Sequence, residues 1–153
     1  TSFPYEETTR LTIKGRGKFD LMIRVPRWAS RGFQVKVNGD PNNISALPGS
    51  YLKLTQDWKD QDVIELKLPF EFHLDRLMDQ PNIASLFYGP ILLAAEESEP
   101  RSDWRPLSLD AADLGKSFTG DPGQLQFTVG ELNFRPFYET YGRYSVYLDV
   151  KLQ

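Results

Sequence analysis

The 153-residue chain contains no cysteine. That excludes disulfides, thiolate metal sites and cysteine nucleophiles within it, and it leaves the cellular compartment undecided. Histidine occurs once, as His73, so a multi-histidine metal site is excluded and a Ser-His-Asp triad would rest on that one imidazole. The Ser-centred, glycine-flanked elbow that would present a serine nucleophile is absent. No apolar run approaches the ~20 residues that a bilayer-spanning helix needs, so no membrane partner is expected. Residues Thr1 to Glu7 have neither a basic n-region nor an apolar h-region, and an initiating Met is missing; we expect an excised piece of a longer chain. Eighteen basic and 21 acidic residues give a net charge of -3. There is no broad basic field to hold a phosphate backbone, and nucleic acid is not an expected partner.

What the chain has is alternation. Phe19, Leu21, Ile23 and Val25 share one face of a run whose other face carries Lys18, Asp20, Met22 and Arg24. Phe33, Val35 and Val37 form a second inward row, Leu52 and Leu54 a third, and Ile64, Leu66, Leu68, Phe70 and Phe72 the longest. A period of two, interrupted by turn clusters such as Gly15-Arg16-Gly17 and Asn38-Gly39, predicts antiparallel strands. Pro69 inside the longest run predicts a sheet edge or a bulge. A loop is expected at 41–49, anchored by Ile44 or Leu47, and another at 75–82. Ile83 to Ala95 reads as two buried strands around Gly89-Pro90. A short helix is expected at 108–114, capped by Ser108 or Asp110 and stopped by Gly115. Leu125, Phe127 and Val129, then Leu132 and Phe134, alternate again, and Tyr144, Val146, Leu148, Val150 and Leu152 line one face of a terminal strand. The economical architecture is all-β: an antiparallel two-sheet β-sandwich, jelly-roll-like, of nine or ten strands. We expect one domain over 1–153, with an exposed acidic excursion at 96–106.

Candidate chemistry is sparse. His73 ends the longest run with Asp75 two residues on, but no nucleophile accompanies it, and it reads as an edge residue. Asp57, Asp60 and Asp62 crowd one turn, yet the bending Gly and distal Glu of a calcium loop are missing, so a charged hairpin is the simpler reading. The run Glu96-Glu97-Ser98-Glu99 reads as a solvated loop. The aromatics say more. Trp28, Trp58, Trp104, Tyr138, Tyr141 and Tyr147 lie at turns or on polar strand faces, and a flat ring exposed on a sheet can stack against the C–H face of a sugar; Trp28, Trp58, Trp104 and Tyr138 are the candidate carbohydrate-binding or interface residues. Trp28 and Trp58, each beside a strand end, read first as caps of the core, whereas Trp104, among Arg101, Asp103, Arg105 and Pro106, reads as a surface or interface residue.

Five segments occur in an order and spacing that resembles a known family: Arg24-Val25-Pro26-Arg27-Trp28-Ala29, Val37-Asn38-Gly39, Gly49-Ser50-Tyr51-Leu52, Trp58 with Asp62 to Pro69, and Tyr88-Gly89-Pro90-Ile91-Leu92-Leu93-Ala94. Together, over residues 5 to 95, they resemble the non-catalytic β-sandwich region that follows the catalytic barrel in glycoside hydrolase family 127, the β-L-arabinofuranosidase-like group formerly described as a family of unknown function. Pro136-Phe137-Tyr138 with Arg143-Tyr144 and Tyr147 also resembles a segment towards the C-terminus of such proteins. Asp60-Gln61-Asp62 departs from the Gly-Asp usual at that turn. The resemblance implies an (α/α)6 barrel elsewhere in the parent, carrying the catalytic acid and a zinc-bound cysteine nucleophile. None of those residues maps onto this chain. The expectation is a non-catalytic accessory domain with no catalytic residue, metal or cofactor of its own, whose partner is the catalytic barrel of the same parent chain. The alternative is a carbohydrate-binding module for plant-derived glycans.

Overall fold

A computed structural model of the chain describes residues 1–42 and 44–153; Asn43, inside the loop expected at 41–49, lies outside the described residues. The fold is all-β, and the chain divides into two compact units, Thr1–Phe70 and Glu71–Gln153.

The first unit contains β1 (Thr8–Thr12), β2 (Gly17–Arg24), β3 (Gln34–Val37), β4 (Asp40–Asn42), β5 (Tyr51–Trp58) and β6 (Val63–Lys67). Strands β1, β6, β3 and β4 form a four-stranded antiparallel sheet in that order, and β2 and β5 form a two-stranded one. The β2–β5 register runs from Gly17 opposite Trp58 to Arg24 opposite Tyr51, so both strands present their alternating residues in phase. Their inward rows meet Val35, Ile64 and Leu66 of the other sheet in one core with Val25, Ala29, Leu52, Leu54 and Trp58. This is the two-sheet arrangement that alternation predicts.

Asn38 and Gly39 both have positive φ, 54° and 88°, as a type I′ hairpin requires, and the turn joins β3 to β4. The loop expected from Pro41 therefore begins as a strand, because that turn folds the following residues back onto β3. Ile44 and Leu47 do not anchor it; both are exposed, and Ala46 packs on the core instead. Asn38 does a second job. Its Oδ1 accepts from the Val63 backbone N–H at 2.8 Å and its Nδ2 donates to Asp62 Oδ1 at 2.8 Å, tying the β3–β4 turn to the connection between β5 and β6.

The longest alternating run is not one strand. β6 ends at Lys67, Pro69 offers no N–H to a ladder, and the next strand begins at Phe72, in the second unit. That unit contains β7 (Phe72–Arg76), β8 (Ile83–Tyr88), β9 (Ile91–Glu97), β10 (Arg105–Leu109), β11 (Thr119–Asp121), β12 (Gln126–Val129), β13 (Leu132–Pro136), β14 (Arg143–Ser145) and β15 (Leu148–Leu152). All nine belong to one curled sheet of order β10-β15-β8-β9-β13-β12-β11, with β7 also on β8 and β14 also on β9. Its core gathers Leu86, Leu93, Leu107, Leu125, Phe127, Phe134 and Leu148, among others. Phe72 lies parallel on Phe118 at 3.9 Å and edge-on to Phe127 at 4.9 Å.

Four sequence expectations change here. Asp75 and Arg76 belong to β7 rather than to a loop, since they pair with Ser85 and Ala84. Ser108 and Leu109 lie in β10, which pairs parallel with β15, so no helix spans 108–114. Asp110 does act as a cap, accepting from the Ala112 and Asp113 N–H groups, but only of a turn; a 3-10 segment, Leu114–Ser117, follows with Asp113 as its cap and Gly115 inside it. The terminal run Tyr144 to Leu152 breaks at Val146-Tyr147 into β14, on β9, and β15, between β10 and β8. Glu96 and Glu97 extend β9, and Arg105 opens β10, so the acidic stretch between the two strands is Ser98 to Trp104.

Candidate functional site

The candidate aromatics have different fates. Trp58 is 0% exposed, with its Nε1–H donating to the Phe19 carbonyl at 3.1 Å. A ring enclosed on all sides cannot stack on a ligand, so Trp58 is removed from the candidate carbohydrate-binding residues; the end of β5 carries it inward in register with Leu52 and Leu54. Trp28 is half-buried, packs against the same core and meets Phe70 edge-on at 5.5 Å. Trp104 is 48% exposed and Tyr138 50% exposed. Tyr138 sits in a single 3-10 turn, Phe137–Glu139.

Trp104 lies in a concavity. The Ser98–Trp104 stretch and residues 142–147 face each other across an open cleft of about 570 Å³. Trp104 and Tyr147 stand nearly at right angles, 74° with centroids 6.0 Å apart. Tyr144 also lines the cleft and meets Phe137 edge-on at 5.3 Å. Beside these rings lies the Glu97 carboxylate, whose side chain is only 3% exposed. It accepts from Arg105 through Nε at 2.8 Å and through the second guanidinium nitrogen, and from the Ser145 hydroxyl at 2.8 Å. A fork-to-fork pair of this kind is directional as well as strong, and it fixes β9, β10 and β14 to one another beneath the cleft. Tyr147 is legible in the sequence as an aromatic on a polar strand face. Tyr144 is not, because alternation puts it on the inward face of one continuous strand, and the break at Val146-Tyr147 leaves it exposed.

The other candidates are structural in their surroundings. His73 Nε2–H donates to the Gly89 carbonyl at 2.9 Å, and the ring lies flat on Phe87 at 5.2 Å. Asp60 accepts from the Gly15 N–H at 2.6 Å; Asp62 accepts from the Lys59 N–H and from Asn38. Among the described residues no three of His, Asp and Glu are gathered for a metal ion. The zinc implied by the family resemblance does not fit here: the chain has no cysteine and a single histidine already bonded to a carbonyl. Gln61 holds φ 69°, a backbone region that glycine enters more readily than glutamine.

The backbone N–H bonds hold the Asp60 and Asp62 carboxyls below their ordinary value of 3.8, Asp60 first through Gly15 and Asp62 first through Lys59. A depressed folded-state pKa stabilises above the unfolded value, and that contribution is lost as pH falls through the folded value. Asp62→Asn is therefore expected to lower the urea midpoint at pH 7 and to flatten the loss of stability below about pH 4, since the group no longer titrates. Urea melts of both proteins at pH 7 and pH 2.5 check this; an unchanged slope would show that Asp62 does not drive it.

Comparison with known proteins gives three results. The model of the β-L-arabinofuranosidase GH127 middle domain matches residues 1–70. That segment coincides with the first unit; the Tyr88 to Ala94 segment and the C-terminal aromatics lie beyond it. No curated protein matches the chain by sequence. Among solved structures, a glycoside hydrolase has a TM-score of 0.72 at 18% identity, with 98% of this chain and 31% of that chain covered. A GH127 beta-L-arabinofuranosidase from Geobacillus stearothermophilus T6 has a TM-score of 0.68 at 19% identity, covering 99% of this chain and 30% of that chain. A GH127 beta-arabinofuranosidase gives 0.65 at 20% identity, covering 99% and 31%. The resemblance read from the sequence is met over the first unit, and the solved structures extend the likeness of fold over nearly the whole chain. The chain spans less than a third of their length.

Proposed function

We propose that residues 1–153 act as one non-catalytic accessory domain of a larger glycoside hydrolase resembling the β-L-arabinofuranosidases, packing against and stabilising a catalytic barrel in the same parent chain. The observation that carries this is the coincidence of the GH127 middle-domain match with the first compact unit, in a chain whose fold corresponds to less than a third of each related hydrolase. The side chains support it. No cysteine is present to act as nucleophile, and the one buried carboxylate of the cleft is committed to Arg105 and Ser145.

The barrel of the parent, produced separately and mixed with this chain, tests the proposal. Binding to the folded barrel alone stabilises it by RT ln(1 + [L]/Kd), about 2.7 kcal/mol when the chain is present at a hundred times Kd. We expect the melting temperature of the barrel to rise with added chain, and its turnover of a chromogenic arabinofuranoside to persist at temperatures where the barrel alone is inactive. A melting temperature independent of the chain's concentration, with no co-elution of the two, would reject the packing role. Turnover of the same substrate by this chain alone would reject its non-catalytic character.

A further inference from the structure

We propose that the cleft between Ser98–Trp104 and residues 142–147 binds a sugar residue of a glycan, with Trp104 and Tyr147 as its two stacking walls and the polar groups of Arg101 and Asp103 at its rim. Four observations converge on this. The volume, about 570 Å³, lies within the range of small-molecule sites, roughly 300–1,000 Å³. Large aromatic rings are usually withdrawn from water, yet Trp104, Tyr144 and Tyr147 all remain between 44% and 48% exposed in one concave place. The near-perpendicular rings of Trp104 and Tyr147 form a corner, so a ring with axial C–H groups can lie flat on one and place its edge against the other. The corner is braced from beneath, because the ion pair of Glu97 with Arg105 and the Ser145 hydroxyl holds the three strands from which both walls depart. Bracing of this kind lowers the ordering cost of binding.

The chemistry selects the ligand class. A fully apolar guest would leave Arg101, Asp103 and Glu99 at the rim without partners. Glu99 and Asp103 balance Arg101 and Arg143 along the lining, so a nucleotide or other polyanion meets no net positive charge there. A neutral polyol with an apolar face satisfies both the rings and the rim, and that describes a pyranose or furanose. The aromatic row continues from Tyr144 to Phe137, which offers a neighbouring sugar a further surface. The proposal rests on the accessory-domain reading only for the first choice of probe, an arabinose-containing glycan.

The test is a titration of the 153-residue chain with arabino-oligosaccharides, xylo-oligosaccharides and galacto-oligosaccharides up to 50 mM, read by tryptophan fluorescence and by the indole N–H signals in NMR spectra. We expect saturation by at least one of them with Kd on the order of 1 mM, as suits a small polar ligand in an open site. The shift should be confined to one indole signal, assigned through its loss in Trp104→Phe. Trp104→Ala and Tyr147→Ala should each weaken binding at least tenfold, whereas Tyr51→Ala, at a comparably exposed tyrosine outside the cleft, should leave it unchanged. Both cleft side chains are about half exposed, so the variants are expected to fold; circular dichroism verifies this. The absence of saturation with all three glycans overturns the proposal, as does binding that survives in both cleft variants. Binding to xylo- or galacto-oligosaccharides but not to the arabino series keeps the site and removes the link to an arabinose-directed parent. Neither result bears on whether the chain packs on a barrel, which the mixing experiment decides.

Discussion

Trp58→Ala is expected to destabilise the first unit by about 3–5 kcal/mol, the usual cost of truncating a buried tryptophan, and to leave a large fraction of it unfolded at 37 °C. The size of the effect follows from position. Trp58 is 0% exposed at the end of β5, opposite Gly17, and it fills the junction between the two-stranded sheet and the four-stranded one. Alanine removes the ring and also leaves the Phe19 carbonyl without the indole N–H. Phe19 loses a neighbour as well, its ring lying 6.0 Å from the indole. Trp58→Phe separates these contributions, since it keeps most of the volume and loses only the hydrogen bond, for which about 1 kcal/mol is expected. Chemical denaturation of the three proteins is the measurement. A loss below 1 kcal/mol for alanine would mean that the core around Trp58 collapses to fill the space.

Arg105→Ala is expected to have an effect of similar size in the second unit, about 3–5 kcal/mol, because it strands a carboxylate that is almost wholly buried. The Glu97 side chain is only 3% exposed, and the Ser145 hydroxyl cannot replace a guanidinium. The paired change Arg105→Leu with Glu97→Leu should recover much of that loss, as removal of both charges leaves no unpaired group. The double variant therefore distinguishes a stranded charge from a simple loss of packing. Arg105→Ala should also abolish glycan binding even where the protein remains folded, since the walls of the cleft depart from strands that this pair holds in place.

The two variants differ in how visible their sites are in the sequence. Trp58 belongs to a row with Leu52 and Leu54 at strict period two, so its burial follows from counting along one strand. Asn38-Gly39 is equally legible, because a turn with two positive φ angles selects those residues on local grounds. The division of the chain is not legible in the same way. Ile64, Leu66, Leu68, Phe70 and Phe72 alternate without a break, and a period of two cannot report that its residues point into two different cores. The helix expected after Ser108 fails for a related reason. Ser, Asp and Gly at suitable spacing suit a cap and a stop locally, but the sheet draws Ser108 and Leu109 into β10 through pairing with residues more than 40 positions away. The cleft is the least legible part. Trp104 stands out by its polar neighbours and Tyr147 by its place on a polar strand face, but Tyr144 joins them only through the break between β14 and β15, which no local signal marks.

The position of β15 has a consequence for how the chain is made. This strand, the last of the second unit, lies between β10 and β8, with parallel pairing on one side and antiparallel on the other. During synthesis the earlier hairpins of the second unit can form as they emerge, since β8 and β9 are joined by a tight turn, as are β12 and β13. The β15-facing edges of β8 and β10 must wait, with backbone N–H and carbonyl groups open to any other extended chain, until residue 152 has left the ribosome. Pairing of β15 is thus a late event that covers one side of Arg105–Leu109 and the Ile83–Ala84 end of β8 together. A nascent chain that pauses before β15 leaves those backbone groups exposed for longer.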